Sequence, residues 1–188
     1  NGPIVSSESE LLILVDQEDN TVGFLDKAAC HDGKGLLHRA FSVFILNSEG
    51  EILLQRRSLE KRLWGGFWSN SCCSHPRKGE SVVDAAKRRC QEELGIKVDL
   101  RFLYKFSYEA RFENAGSENE LCHVLVGHSE MEPRINRNEI LEWRWISRKD
   151  LDEELLYRGA NYTPWLKMEW EALSRNHIDQ ISSCLLYT

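Results

Sequence analysis

The stretch from Ser69 to Gly95 concentrates groups that can do chemistry. Cys72-Cys73-Ser74-His75 is followed by Glu80 and then by Arg88-Arg89-Cys90-Gln91-Glu92-Glu93. Thiol, imidazole, guanidinium and carboxylate together can transfer protons, hold a metal or meet an anion. The Cys73-x-His75 spacing suits a zinc ligand pair, or a histidine that lowers a thiol's pKa, or small buried cysteines beside a capping histidine. Adjacent cysteines rarely share one ion and no Cys-x-x-Cys occurs, which weighs against a structural zinc site. His31 and His38 bracket the glycine-bearing segment DGKGLL and are either two ligands converging on one ion or unrelated surface histidines.

Glu118 and Glu120 are separated by a single residue, so an extended chain points both the same way. That suits two ligands of a hard cation, or one ligand beside a general acid, or a solvated acidic loop. Lys27, Arg56, Arg57, Lys61 and Arg62 lie near glycines and tryptophans. Guanidinium pairs planar oxyanions and ammonium acts as a point charge, so phosphate or diphosphate is the natural partner; the plainer reading is a solvated basic hairpin end. Trp165 is either a π face for a cation or a core residue. Tyr108 is either strand core or a hydroxyl near a catalytic carboxylate.

These residues need a scaffold, and the patterning supplies one. LLILV (11–15) reads as a strand, 16–20 as a turn and 22–25 as its return. Lys27 to His38 reads as a loop. HRAFSVFIL (38–46) is a strand rich in aromatic and β-branched residues, paired through Asn47-Ser-Glu-Gly50 with 51–55. Residues 81–94 read as a helix: Ser81 and Asp84 resemble a capping box, Ala86, Cys90 and Leu94 form one apolar face, and Gly95 ends it. Arg88/Glu92 and Arg89/Glu93 are i, i+4 pairs along it. Residues 102–112 and 121–127 read as strands joined by a polar loop, ENAGSENE, and 142–146 as another strand. Ser147 and Asp150 cap a short helix, and a last helix starts at Thr163-Pro164. The fold class is α/β (α+β), a mixed sheet flanked by helices in a single domain over 11–188, with 1–10 set apart as a candidate disordered segment.

Composition bounds the function. The chain has 188 residues, 41% of them hydrophobic and 29% charged, with a net charge of −6. That argues against a nucleic-acid platform and leaves the local basic cluster for a small anionic ligand. No apolar run approaches membrane-spanning length, and NGPIVSSESE lacks a signal-peptide pattern. The six cysteines show no framework spacing, so they are read as reduced and the compartment as cytoplasmic. The expected state is a monomer or weak homodimer.

Aligned on Gly95, the helix and its lead-in resemble the Nudix box: Gly, five residues, Glu, seven residues, Arg-Glu, an apolar residue, any residue, Glu-Glu, any residue, Gly and an apolar residue. Ser74 stands at the first Gly and Arg89 at the first Glu of the Arg-Glu pair. The reversed charge points to a site that holds a diphosphate intact rather than cleaving it. From about Leu12 to the final helix the chain resembles the type 1 isopentenyl-diphosphate delta-isomerases, on GLLHRAFSVF, LLQRRSLEKRLWGGFWSNSCCSHP, the altered Nudix helix, ENELC and TPW.

The resemblance implies interconversion of isopentenyl and dimethylallyl diphosphate through a tertiary carbocation. It makes His31, His38, His75, Glu118 and Glu120 ligands of one divalent metal (Mn²⁺, Mg²⁺ or Zn²⁺) and Glu93 a holder of a diphosphate-bound Mg²⁺. It makes Cys73 and Glu120 the acid/base pair, Tyr108 a hydrogen-bond partner of Glu120, and Trp165 the aromatic face for the cation. Lys27, Arg57, Lys61, Ser74 and Arg89 become the diphosphate contacts. Two other functions fit some of the same residues: a Nudix hydrolase of a nucleoside diphosphate derivative, and a zinc-stabilised binding module using His31, His38, Cys73 and His75.

Overall fold

The computed structural model describes residues 2–181. Cys184 and the rest of the C-terminal tail lie outside the described residues, as does Asn1. The elements in order are β1 (Leu11–Val15), β2 (Thr21–Asp26), α1 (Lys27–His31), β3 (His38–Leu46), β4 (Ile52–Arg57), β5 (Trp68–Ser69), β6 (Cys72–Ser74), α2 (Val82–Leu94), β7 (Leu100–Phe112), β8 (Gly116–His128), β9 (Ile140–Ile146), α3 (Arg148–Arg158) and α4 (Pro164–Asn176).

One mixed sheet of nine strands is organised on β3. β3 pairs antiparallel with β1, β4 and β6, and parallel with β8 over its whole length, from His38↔Glu120 to Leu46↔His128. A strand covered on both faces has no solvent side, which is why HRAFSVFIL reads as a nearly unbroken apolar run. One face packs Phe41, Val43, Ile45 and Leu53 under Ala86, Cys90 and Leu94 of α2. The other packs Phe44, Leu54 and Val124 under Leu166, Trp170 and Leu173 of α4.

The α2 start is built as its sequence indicates: the Ser81 side chain accepts from the Asp84 N–H at 3.2 Å, and Gly95 closes the helix at φ 66°. Two boundaries differ in ways that matter for the site. The stretch ENAGSENE is not a loop up to Glu120: β8 begins at Gly116, and only 113–115 turn. Continuous pairing of Ala110↔Glu118 and Tyr108↔Glu120 fixes the two glutamates on a strand, because backbone hydrogen bonding outweighs the polarity that suggested a loop. The segment after Lys27 opens with a short helix, capped by Asp26 accepting from the Ala29 N–H at 2.9 Å, and this turn carries His31.

The N-terminal segment lies along the site. Arg77 and Arg89 both donate to the Val5 carbonyl, at 3.1 and 2.9 Å, and Asn136 donates to the Pro3 carbonyl at 2.7 Å.

Candidate active site

The carboxylate-imidazole cluster sits where β3, β6 and β8 meet. His31 ends α1, His38 opens β3, His75 follows β6, and Glu118 and Glu120 project from β8. All five residues are buried. The ligand atoms of His31, His38, His75 and Glu118 lie within 4.8 Å of one another. His31 Nε2 is 3.0 Å from Glu118, His75 Nε2 is 2.8 Å from Glu120, and His38 Nε2 is 3.3 Å from Glu120.

The histidines are prepared as ligands. His38 Nδ1 lies 2.8 Å from the Leu36 carbonyl, which can only accept, so Nδ1 carries the proton and Nε2 faces the carboxylates. His75 Nδ1 is buried without a hydrogen-bond partner, and His38 Nε2 has only its poorly aligned 3.3 Å approach to Glu120, with Glu118 at 3.9 Å. A buried nitrogen so placed between two carboxylates fits a cation at that point. Burial pulls His31 down to about 4 and His75 down to about 3, which keeps both rings neutral at pH 7. For His38 burial is again the largest influence and pulls down, but the hydrogen bond and charge of Glu120 prevail and raise it. The glutamates split. Burial, then the charge of Glu120, pushes Glu118 up to about 8. Glu120 is held well below the carboxylate range, since the bonds from His38 and His75 outweigh burial. Nitrogen and oxygen donors in this set suit a divalent ion.

The residues expected from the sequence to be the acid/base pair border this cluster. Cys73 faces a cavity of about 290 Å³, and Glu118, Glu120, His31 and His75 share its wall. Burial pushes the Cys73 thiol up to about 12 against the charge of Arg57, so it is a neutral proton carrier at pH 7. Cys72, one residue earlier on the strand, points into the opposite core and donates to Glu93 at 2.9 Å. Tyr108 sits opposite Glu120 in the ladder and donates its hydroxyl to that carboxylate. Trp165 follows Pro164 at the start of α4, with its Nε1 donating to Ser69 at 3.0 Å, and its ring closes an apolar group with Leu63 and Trp64.

A cationic wall faces these residues. Lys27, Arg57, Lys61 and Arg89 all line the cavity, as does Ser74. Arg57 is fixed by the Leu63 and Trp64 carbonyls at 2.9 and 3.2 Å and lies 5.2 Å from the Trp165 ring centre. Burial, then the charge of Lys61, lowers the pKa of Lys27, as expected where like charges crowd. Arg89 is only 2% exposed and lies 3.3 to 3.5 Å from carboxylate oxygens of Glu92, Glu93 and Glu139. Arg62 lines the cavity too, its guanidinium held by Asp32 at 2.7 Å and by the Ala115 carbonyl at 2.8 Å, whereas Arg56 points elsewhere, to Glu142.

His38, Tyr108 and Glu93 do not line the cavity themselves. His38 and Tyr108 act on it through Glu120. Glu93 is buried behind Arg89 and is held there by Cys72. Sequence reasoning passed over Glu139, which lines the cavity and accepts from Lys61 and Ser6. A lone glutamate before an apolar strand carries no distinguishing pattern.

A NUDIX domain model matches residues 36–166. Isopentenyl-diphosphate Delta-isomerase 1 of Photorhabdus laumondii is 43% identical over 174 residues, covering 92% of this chain and 99% of that protein. Isopentenyl-diphosphate Delta-isomerase of Serratia proteamaculans is 39% identical over 171 residues, covering 91% and 95%. Among solved structures, DR0079 of Deinococcus radiodurans superposes with a TM-score of 0.67 at 22% identity, covering 95% of this chain and all (100%) of that one. The MutT protein of Methanosarcina mazei Go1 superposes at 0.62 with 20% identity, covering 74% and 94%. At such identities the structural likeness speaks for the fold alone.

Proposed function

This chain belongs to the isopentenyl-diphosphate delta-isomerase family on the NUDIX fold, and from that premise we propose that it interconverts isopentenyl and dimethylallyl diphosphate. The observation that carries the proposal is that Cys73 and Glu120 share one cavity with the cations Lys27, Arg57, Lys61 and Arg89, beside Arg62.

The reaction adds a proton to one end of a three-carbon unit and removes one from the other. An unactivated alkene is a weak base, so the step needs a positioned acid and a site that tolerates a tertiary cation. Cys73 holds a proton on its thiol at pH 7. Glu120 is a carboxylate kept charged and oriented by His38 and His75, with the Tyr108 hydroxyl on its other oxygen. One group gives a proton while the other takes one, and the double bond moves between them. The Trp165 face would stabilise the positive charge as it develops. The apolar group of Leu63, Trp64 and Trp165 would keep out water, which would otherwise trap the cation.

In this reading Lys27, Arg57, Lys61, Ser74 and Arg89 bind the diphosphate. His31, His38, His75, Glu118 and Glu120 would hold one divalent ion, Mn²⁺, Mg²⁺ or Zn²⁺, which when bound would fix Glu120 and set its acidity. Glu93 would hold a diphosphate-bound Mg²⁺ on the condition that Arg89, now 3.5 Å from it, turns toward the diphosphate. We place the protein in the cytoplasm as a monomer or weak homodimer without nucleic-acid or membrane partners. Five free cysteines among the described residues are consistent with a reducing compartment, and no helix among those residues is long and apolar enough to cross a membrane.

The test is incubation with isopentenyl diphosphate and Mg²⁺ in deuterated water. Deuterium-labelled dimethylallyl diphosphate is expected. Unlabelled product or no turnover overturns the proposal, and steady release of phosphate from nucleoside diphosphate derivatives would favour a hydrolase.

A further inference from the structure

The cations of the cavity wall come from separate parts of the chain: Lys27 from α1, Arg57 from β4, Lys61 and Arg62 from the turn after it and Arg89 from α2. Like charges crowd one small cavity, and carboxylates that line it, Glu139 among them, stand between them. Arg57 is held by two backbone carbonyls. Lys61 and Arg89 have long flexible side chains and share one carboxylate, that of Glu139.

Glu139 is itself rigidly placed. It is 3% exposed. Its Oε2 accepts from Lys61 and lies 3.4 Å from Arg89, while Oε1 accepts from Ser6 at 2.6 Å. Its backbone is tied at both ends: Glu139 N–H donates to the Asn136 carbonyl at 2.9 Å, and the Glu139 carbonyl accepts from Ser58 N–H at 3.0 Å. Ser58 begins the turn that presents Lys61, whose own N–H donates to the Ser58 carbonyl at 3.2 Å. Glu139 thus sets the origin of the Lys61 turn and the end of its side chain at once.

We propose that Glu139 is the positioning carboxylate of the anion-binding wall, holding Lys61 and Arg89 toward one diphosphate. The inference rests on the isomerase reading for the identity of the ligand. Glu139 does not act as a competitor that must leave. It is pinned by Ser6 and by its backbone, and the Lys61 ammonium, with three N–H groups, keeps spare donors, while Arg89 has Nη1 on Val5 and Glu92 and Nη2 beside Glu93 and Glu139. Lys61 can serve Glu139 and a diphosphate oxygen together, and Arg89 can do so by giving up Glu93, 3.5 Å away, while it stays on Glu139. The geometry is that of a hydrogen-bonded second layer, which fixes cations whose free ends do the binding.

The experiment compares wild type with Glu139→Gln and Glu139→Asp. It measures kcat and KM for isopentenyl diphosphate, and Kd for inorganic pyrophosphate by calorimetry. Glu139→Gln is expected to raise KM and the pyrophosphate Kd roughly tenfold or more, with kcat within about threefold of wild type. Glu139→Gln should cost clearly less in the Lys61→Met background than in wild type, because the carboxylate acts in part through that lysine. Unchanged or tighter binding in Glu139→Gln, or full additivity with Lys61→Met, overturns the proposal. Should thermal melts show that Glu139→Gln does not fold, Glu139→Asp decides: it keeps the charge but draws it back by one methylene, and a wild-type Kd there is the overturning result. Pyrophosphate binding does not require isomerisation. A wild type that binds pyrophosphate but does not turn over therefore counts against the isomerase reading and leaves the test of Glu139 intact.

Discussion

Cys72 and Cys73 are consecutive in the chain and serve opposite faces of the sheet. Cys72 is fully buried and donates to Glu93 at 2.9 Å, while Cys73 faces the cavity with its sulfur 3.8 Å from the Arg57 guanidinium. Strand alternation separates them as no inspection of the dipeptide could. Cys73→Ala should abolish turnover, a loss of at least about 10³-fold, because an acid/base group is removed. Cys72→Ala should keep most of kcat and lose about 1 kcal/mol of stability with its hydrogen bond. Steady-state rates and thermal melts of the two variants check this, and equal activity losses would count against the assignment.

Tyr108 is expected to matter through Glu120 alone. Removing its hydroxyl leaves one carboxylate oxygen without its donor in a buried site. Tyr108→Phe should lower kcat about 10²-fold. KM should hardly move, since the ring does not line the cavity. A rise in KM with unchanged kcat would assign Tyr108 to binding instead.

Metal affinity should depend on pH through Glu118. Its carboxyl is pushed up to about 8 by burial and by the charge of Glu120, so below that pH a proton must leave before an ion can bind. Apparent affinity should therefore rise with pH up to about 8, by nearly tenfold per unit for one proton released. Calorimetry in buffers of different ionisation enthalpy would count the proton. Glu118→Gln should flatten the profile.

The histidines add a separate acid effect on the metal-free protein. His31 and His75 titrate near 4 and near 3 in the fold, below the ordinary histidine value of 6.5. The unfolded chain therefore binds more protons between those limits. Their contribution falls as pH drops from about 6.5 toward 4 for His31 and toward 3 for His75. The raised Glu118 opposes this between about 8 and its ordinary value of 4.5, where the folded state holds the extra proton. Chemical unfolding from pH 7 to pH 4, with and without Glu118→Gln, should show a steeper acid loss in the variant.

Arg89 is boxed in by Glu92, Glu93 and Glu139. Arg89→Glu would place a fourth carboxylate among three. Removing one partner of a buried pair costs about 3–5 kcal/mol, and a loss of 3 kcal/mol in a chain of this size lowers Tm by roughly 6–12 °C. Substrate affinity should fall as well. A variant that melts like wild type would show that this arginine is not part of the packed structure.

How much of this was legible in the chain depended on where each residue sits. β3 was legible because burial on both faces leaves an unbroken apolar run, and α2 because its caps are written at Ser81 and Gly95. The polar letters around Glu118 concealed a strand, since its pairing with Tyr108 and Ala110 comes from a partner strand that local composition does not reveal. The short β6, which separates Cys72 from Cys73, is held by pairing with β3 rather than by its own pattern. Glu139 had no signal at all. Its role depends on three residues, at 6, 61 and 89, that only the fold brings together.

The parallel register of β3 with β8 also bears on how the molecule matures. His31 meets Glu118 across 87 residues of chain, and His75 meets Glu120 across 45. Contacts of such separation are slow to form. A nascent or half-folded chain therefore has the five side chains scattered on unpaired segments. If they hold an ion as proposed, loading would be a late event, and the cage would double as a checkpoint that only a chain with its central strands in place can pass.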